Sequence, residues 1–348
     1  MANPECDSHD AERARVVLYT TGGTIASTDV DGTGGVRPNL AGAELLGDAF
    51  DALGGVEVEV VGVRQVPSGE LTLADAIALS RRIRADLASG FDGAVIAQGT
   101  DTIEEFAFAL DLLHADDHPI VVTGAMRHPG EPGADGPANL TGAILVASDP
   151  TMRALGTLVV MNDEVHAARF ARKTHPTSVA AFTSQPTGPI GRVVEGRPRR
   201  YVSPPRLAPV LEIDRLGADV PAVALLTCTL GDDGRLVGRL SELGYAGLVI
   251  EGFGGGHVPG GLVSAVATLA DVVPVVLASR TGAGDVLEST YGYEGSERDL
   301  LGRGLISAGT LDGRKARVLL SLLLGTGAST AQVAAAFARL QRSATGLA

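Results

Sequence analysis

The stretch Val16-Val17-Leu18-Tyr19-Thr20-Thr21-Gly22-Gly23-Thr24-Ile25-Ala26 decides how the rest of the chain is read. Its apolar first part predicts a buried strand, and the Thr-Gly-Gly-Thr after it predicts a tight turn at the carboxyl end of a sheet. Glycines there leave out the Cβ atoms that would keep backbone N–H groups away from a ligand. The Thr24 hydroxyl is then expected at the mouth of the sheet, where open α/β proteins bind small molecules. A glycine turn is also simply how a first strand can end, so its weight depends on the residues downstream.

A second junction of the same kind comes at Gly93-Ala94-Val95-Ile96-Ala97-Gln98-Gly99-Thr100-Asp101-Thr102, ahead of a helix carrying Ile103, Phe106, Ala107 and Leu110. Between the two junctions lie a polar, glycine-rich loop at residues 29–40, a short helix, and the alternating strand Val56-Glu57-Val58-Glu59-Val60-Val61. The glycines predict that this loop is mobile beside the site. Pro67-Ser68-Gly69-Glu70 then makes a turn into a helix near residues 73–87, with Thr72 and Asp75 placed as a capping pair. Further buried strands are expected at residues 119–123 and 158–161. Strands alternating with amphipathic helices call for a mostly parallel sheet covered on both faces.

Proline and unpaired charge at residues 196–209 predict a linker. Beyond it a smaller pattern has strands near 223–227, 247–250 and 275–278, and closing helices at 314–324 and 330–340. The fold class is α/β: a larger N-terminal domain (15–195) and a smaller flavodoxin- or Rossmann-like C-terminal domain (210–348), after a polar leader at 1–14.

Bulk properties agree with a globular chain of two domains: 348 residues, 45% hydrophobic and 20% charged. A net charge of −13 argues against nucleic acid or an anionic membrane as partner. Cys6 and Cys228 form no disulfide framework, which fits a reducing compartment. No signal-type segment opens the sequence, and Gly, Pro or charge interrupts every apolar run, so a cytoplasmic protein is expected. The only lysines are Lys173 and Lys315, in a chain that otherwise uses arginine. Lysine, unlike arginine, can give up its proton where its surroundings demand it.

Several chemistries fail on their residues. Gly252-Phe253-Gly254-Gly255-Gly256-His257 comes after a strand, but His257 stands where a dinucleotide fingerprint needs its third glycine. His114 and His118 have helical i, i+4 spacing without the glutamate of a metalloprotease, at a point where a helix stops. Ser279 lies in no Gly-x-Ser-x-Gly elbow. There remain threonine hydroxyls on two glycine turns, with Asp101 beside the second and Lys173 farther along. That is an amide-cleaving set: a threonine attacks once its proton is taken, a lysine–aspartate couple relays protons, and turn N–H groups stabilise the oxyanion.

These residues resemble the bacterial-type L-asparaginases, including asparaginase–glutaminases. The resemblance is carried by Thr21-Gly22-Gly23-Thr24-Ile25-Ala26, Gly99-Thr100-Asp101-Thr102-Ile103-Glu104-Glu105, and Gly124-Ala125-Met126-Arg127 with Ala134-Asp135-Gly136-Pro137-Ala138-Asn139-Leu140. Val159-Val160-Met161-Asn162-Asp163 leading to Arg172-Lys173-Thr174, and Ser307-Ala308-Gly309-Thr310-Leu311 before Lys315-Ala316-Arg317, continue it in order. The resemblance implies hydrolysis of L-asparagine to L-aspartate and ammonia, with no metal or organic cofactor, in a homotetramer of close dimers. It makes Thr24 the nucleophile, Thr100, Asp101 and Lys173 the second catalytic group, and Ser68, Gly99, Thr100 and Asp101 substrate contacts. It also implies an acid supplied by a neighbouring subunit, which counting back from residues 307–311 places at Glu297, with Glu294 as the alternative. Of the two lysines, one is expected to be structural.

Three departures stand out. The family's lid commonly carries a tyrosine that bonds the nucleophile; residues 22–40 have none, and only Ser27, Thr28 or Thr33 could partly replace it. Gly69 stands where a glutamine often succeeds the carboxylate-binding serine, and Gly255 where an asparagine is often found. Two rival readings share the pattern: the amidase subunit of a tRNA-dependent amidotransferase, and a non-catalytic sensor of acidic amino acids. Ammonia release from the isolated chain separates them.

Overall fold

In the computed structural model, which describes residues 13–29, 35–39, 47, 53, 55–205, 211–217 and 219–345, the organising element is β1 (Arg15–Gly22). Val16, Val17, Leu18 and Tyr19 are wholly shut off from solvent, because β1 has strand neighbours on both edges and helices over both faces. Each such side chain contributes about 1.5–3 kcal/mol of burial, enough to make a run of four the strongest fold signal in the sequence. In chain order there come next β2 (Ser27–Asp29), β3 (Val36–Pro38), β4 (Glu57–Val66), β5 (Gly93–Ala97), β6 (Ile120–Thr123), β7 (Thr157–Met161) and β8 (Glu164–Ala167). Then come β9 (Ala171–Lys173), β10 (Phe182–Ser184), β11 (Gly191–Val194) and β12 (Arg197–Arg200).

Eight of these make one sheet in the order β12-β11-β8-β7-β6-β5-β1-β4. From β4 to β7 all neighbours are parallel; β8, β11 and β12 extend the sheet antiparallel. The parallel part needs crossover helices, and they lie on its two faces. On one are α1 (Leu73–Ala88), opened by the reciprocal Thr72–Asp75 capping box, and α2 (Ile103–Leu113). On the other, α3 (Gly136–Ser148) places Leu140, Ala143, Ile144 and Ala147 against Val16, Leu18 and Val95.

The C-terminal domain is a parallel four-stranded sheet, β13 (Val223–Thr227), β14 (Gly247–Gly252), β15 (Val275–Ser279) and β16 (Ile306–Ser307), in that order. Its helices are α4 (Gly260–Ala270), the short α5 (Glu297–Gly302), α6 (Gly313–Gly325) and α7 (Thr330–Thr345). The two domains share one apolar cluster: Ile103, Phe106 and Leu110 of α2 belong to the same buried set as Leu319 and Leu322 of α6. With a sheet on one side and α6 on the other, α2 buries Phe108, Ala109 and Leu112 too, rather than a single stripe. Among the described residues no helix is long and apolar enough to cross a membrane.

One expectation is corrected. Part of the stretch read as a linker, residues 196–209, is edge strand: β12 pairs antiparallel with β11 through a two-residue turn. Glu195 and Gly196 both have positive φ, 52° and 68°, the backbone that a tight primed hairpin turn requires. Pro198 is tolerated because β12 lies at the edge of the sheet. Residues 206–210, leader residues 1–12 with Cys6, half of the 29–40 loop including Thr33, and nearly all of the short helix expected after it lie outside the described residues.

Candidate active site

Three chain reversals at the carboxyl ends of β1, β4 and β5 meet. After β1, Gly23 takes φ 83° and ψ −175°, backbone that only glycine adopts without strain, and throws Thr24 into a 3-10 turn, Thr24–Ala26. After β5, Gly99 leads into the matching 3-10 turn Thr100–Thr102. The two turns are in direct contact: a Cβ built on Gly23 would lie 2.1 Å from the Gly99 nitrogen and 2.3 Å from its Cα. The third reversal, Ser68–Glu70, presents Ser68 to the same spot, since a Cβ on Gly99 would lie 2.9 Å from both Cβ and Oγ of Ser68. Glycine at 23 and 99 is therefore what lets the Thr24, Ser68 and Thr100 backbones converge.

Lys173 closes the group from the end of β9. Its Nζ donates to Thr100 Oγ1 at 2.9 Å and to Asp101 Oδ1 at 2.6 Å. Thr100 is buried, the Lys173 side chain is 13% exposed, and the Asp101 side chain is 79% exposed, so the carboxylate opens toward solvent from a sheltered ammonium. The Lys173 N–H donates to Glu104 Oε2 at 2.9 Å. Burial pushes the Glu104 carboxyl above its ordinary range, against the lowering pull of Lys315 and Arg314. Thr102, next to Asp101, donates its hydroxyl to the Ser68 carbonyl at 3.1 Å and so ties the second turn to the third.

The residues expected to act together thus divide clearly. Thr24, Ser68, Gly99, Thr100, Asp101 and Lys173 gather at one end of the parallel sheet. Glu297 does not stand free to meet a ligand. It is fully buried at the start of α5, accepts the N–H groups of Thr290 and Tyr291 at 2.8 and 2.6 Å, and faces His257 Nε2 at 3.2 Å. A count along the chain has no access to those partners; Glu294, in the preceding loop, is exposed. Lys315 is the structural lysine, buried and bonded to the Ala171 carbonyl at 2.8 Å.

Of the hydroxyls considered as stand-ins for a lid tyrosine, the two among the described residues are engaged elsewhere. Ser27 donates to the Gly23 carbonyl at 2.7 Å, and Thr28 to the Asn39 side chain at 2.8 Å, across the β2–β3 ribbon. At Gly255 an added Cβ would lie 2.6 Å from Leu287, so an asparagine does not fit without movement; Gly69 has open space. His114 Nε2 bonds the His118 carbonyl at 2.8 Å, a local closure of the helix end. A cavity of about 500 Å³ lies at the domain junction, bordered by Leu71, Thr102, Glu105, Val220 and Arg317; none of Thr24, Thr100 and Lys173 lines it. In the sequence Glu104 is only part of a motif, and its bond to the Lys173 backbone is not legible there. Two glutamates, Glu104 and Glu105, stand in an otherwise apolar helix start, and nothing in the sequence tells which of them turns to Lys173.

Comparison with known proteins gives the same arrangement a lineage. Residues 15–206 match the family model described as "Asparaginase, N-terminal", and residues 222–337 that of the "Glutaminase/Asparaginase C-terminal domain". An L-asparaginase of Bacillus licheniformis is 33% identical over 314 residues, covering 90% of this chain and 96% of its own. A probable L-asparaginase of Deinococcus radiodurans is 38% identical over 334 residues, covering 94% and 98%. The crystal structure of a probable cytoplasmic L-asparaginase from Campylobacter jejuni superposes with a TM-score of 0.85 at 30% identity, over 94% of this chain and 99% of that one. The chain belongs to the asparaginase family.

Proposed function

We propose that this protein is an L-asparaginase that hydrolyses L-asparagine to L-aspartate and ammonia through a threonine nucleophile, with some activity on L-glutamine. The Thr24 oxygen attacks the side-chain amide carbon; the C–N bond breaks, and the hydroxyl proton leaves with the nitrogen as ammonia. Water then cleaves the β-aspartyl ester, releasing aspartate and restoring the Thr24 hydroxyl. The Lys173–Thr100–Asp101 group relays protons, and N–H groups of the two turns hold the oxyanion. Ser68 and Asp101 bind the α-carboxylate and α-amino groups. The active form is a cytoplasmic homotetramer of close dimers, in which Glu294 is the better placed of the two acids considered for a neighbour's site, being exposed where Glu297 is not.

The observation that carries the reading is the contact of the Gly23–Thr24 turn with the Gly99–Thr100 turn, with Lys173 Nζ 2.9 Å from the Thr100 hydroxyl. The relatives named L-asparaginase supply the substrate class. The test is ammonia release by the purified chain from L-asparagine, L-glutamine and D-asparagine. Thr24→Ala and Thr100→Val should each abolish release from L-asparagine while leaving the circular dichroism unchanged. Near wild-type release from either variant overturns the assigned roles.

A further inference from the structure

We propose that the C-terminal domain sets the position of the catalytic lysine, with Glu104, Arg314 and Lys315 as positioning residues for Lys173. This rests on the reading of Lys173 given above. β9 is a three-residue strand paired on one edge with β10. Among the described residues its other edge has no strand beside it, so the Ala171 carbonyl and the Lys173 N–H, both pointing that way, need other partners. Side chains supply them: Lys315 Nζ donates to the Ala171 carbonyl at 2.8 Å, and Glu104 Oε2 accepts the Lys173 N–H at 2.9 Å. One comes from α6 of the C-terminal domain and the other from α2, one turn after Thr100 and Asp101.

The two side chains are joined by a chain of alternating charge. Glu104 Oε1 meets Arg314 Nη1 at 2.7 Å, Arg314 Nε lies 3.8 Å from Asp312 Oδ1, and Asp312 Oδ2 lies 3.1 Å from Lys315 Nζ. Asp312 also caps α6, accepting the N–H groups of Arg314 and Lys315 at 3.0 and 3.1 Å. Glu104 and Lys315 have side chains only 2% exposed and Asp312 10%, so the network is buried at the domain junction except at Arg314, which is one-third exposed. Buried charge is an inefficient route to stability, because desolvation offsets most of the attraction. What it provides is register: fixed donor and acceptor positions that apolar packing does not define. Here the fixed object is the backbone on either side of Arg172, and hence the origin of the Lys173 side chain. A shift of about 1 Å there is enough to break the contacts of Nζ with Thr100 and Asp101, with a loss in rate on the order of 10²-fold.

The experiment compares Glu104→Gln, Arg314→Met, Arg314→Lys and Lys173→Met in the full-length enzyme, by kcat, KM, the pH profile of kcat and thermal unfolding. Arg314 is one-third exposed, so its variants fold even if a buried change at Glu104 does not. The expected result is a kcat for Arg314→Met lowered by about 10²-fold with KM little changed, a displaced pH profile, and partial recovery in Arg314→Lys. Wild-type kcat and pH profile in Arg314→Met, with only a lower melting temperature, overturn the proposal. Lys173→Met separates the two levels: if it still releases ammonia, the reading of Lys173 fails, whatever the Arg314 variants do.

Discussion

Gly23→Ala is the sharpest single-atom test of how the site is assembled. The added methyl would lie 2.1 Å from the Gly99 nitrogen, 2.3 Å from its Cα and 2.8 Å from the Gln98 carbonyl carbon. All three are backbone atoms, so no rotamer change relieves the clash. Ordinary contact begins near 3.4 Å, so the two turns must separate by roughly 1 Å. Alanine is also forced to φ 83°, which costs about 1–3 kcal/mol, and overpacking adds about as much again. A loss of about 4 kcal/mol lowers the melting temperature by several degrees but leaves most of a typical domain's stability in hand. The same displacement parts Thr24 from Thr100, for which a loss of about 10²-fold or more in kcat is expected. Ammonia release measured well below the melting temperature reads the catalytic part separately from the stability part. Gly69→Ala is the control, because a Cβ at Gly69 meets nothing within 4 Å, and it should retain both stability and rate. Wild-type kcat in Gly23→Ala would refute the view that direct contact between these turns aligns the hydroxyls.

Two other outcomes are expected of the same structure. Gly69→Gln places an amide donor beside Ser68 in open space and should lower KM for L-asparagine by about tenfold with kcat retained; an unchanged KM would show that this turn does not face the substrate. His166 is fully buried against the Ser184 hydroxyl at 2.8 Å, and burial pushes its pKa from 6.5 down to about 4. The folded chain therefore holds it neutral while the unfolded chain protonates it below 6.5, so stability is present above pH 6.5 and is lost as pH falls toward 4. The loss reaches about 3 kcal/mol, read as a falling urea midpoint between about pH 7 and 4.5. His166→Gln should flatten that slope, and an equal slope in both proteins contradicts the assignment.

The face where the candidate residues gather was legible because it depends on local signals. Short apolar runs such as residues 16–19 and 94–97 read as strands buried on both faces because a glycine–threonine step straight after them marks the sheet's carboxyl edge, a signal that the equally apolar run 143–147 inside α3 lacks. What escaped was set by partners distant in sequence. Glu195, Gly196 and Pro198 carry the composition of a linker, yet an available strand edge at β11 recruits residues 197–200 into the sheet. Counting placed Glu297 at a neighbour's site, whereas His257, far earlier in the chain, and the N–H groups of Thr290 and Tyr291 enclose it. By composition alone the two lysines are alike. The resemblance points to Lys173, and the fold gives the physical difference: Lys173 reaches Thr100, while Lys315 is buried against β9.

The central claim is that Thr24 carries the acyl group. Acid quench of the enzyme turning over L-asparagine, with subsequent peptide mapping by mass spectrometry, tests it most directly, in the wild type and in Thr100→Val. The account predicts an acid-stable aspartyl adduct on the peptide holding Thr24 and none in Thr24→Ala. An adduct on the Thr100 peptide, or ammonia release by Thr24→Ala at the wild-type rate, would contradict it.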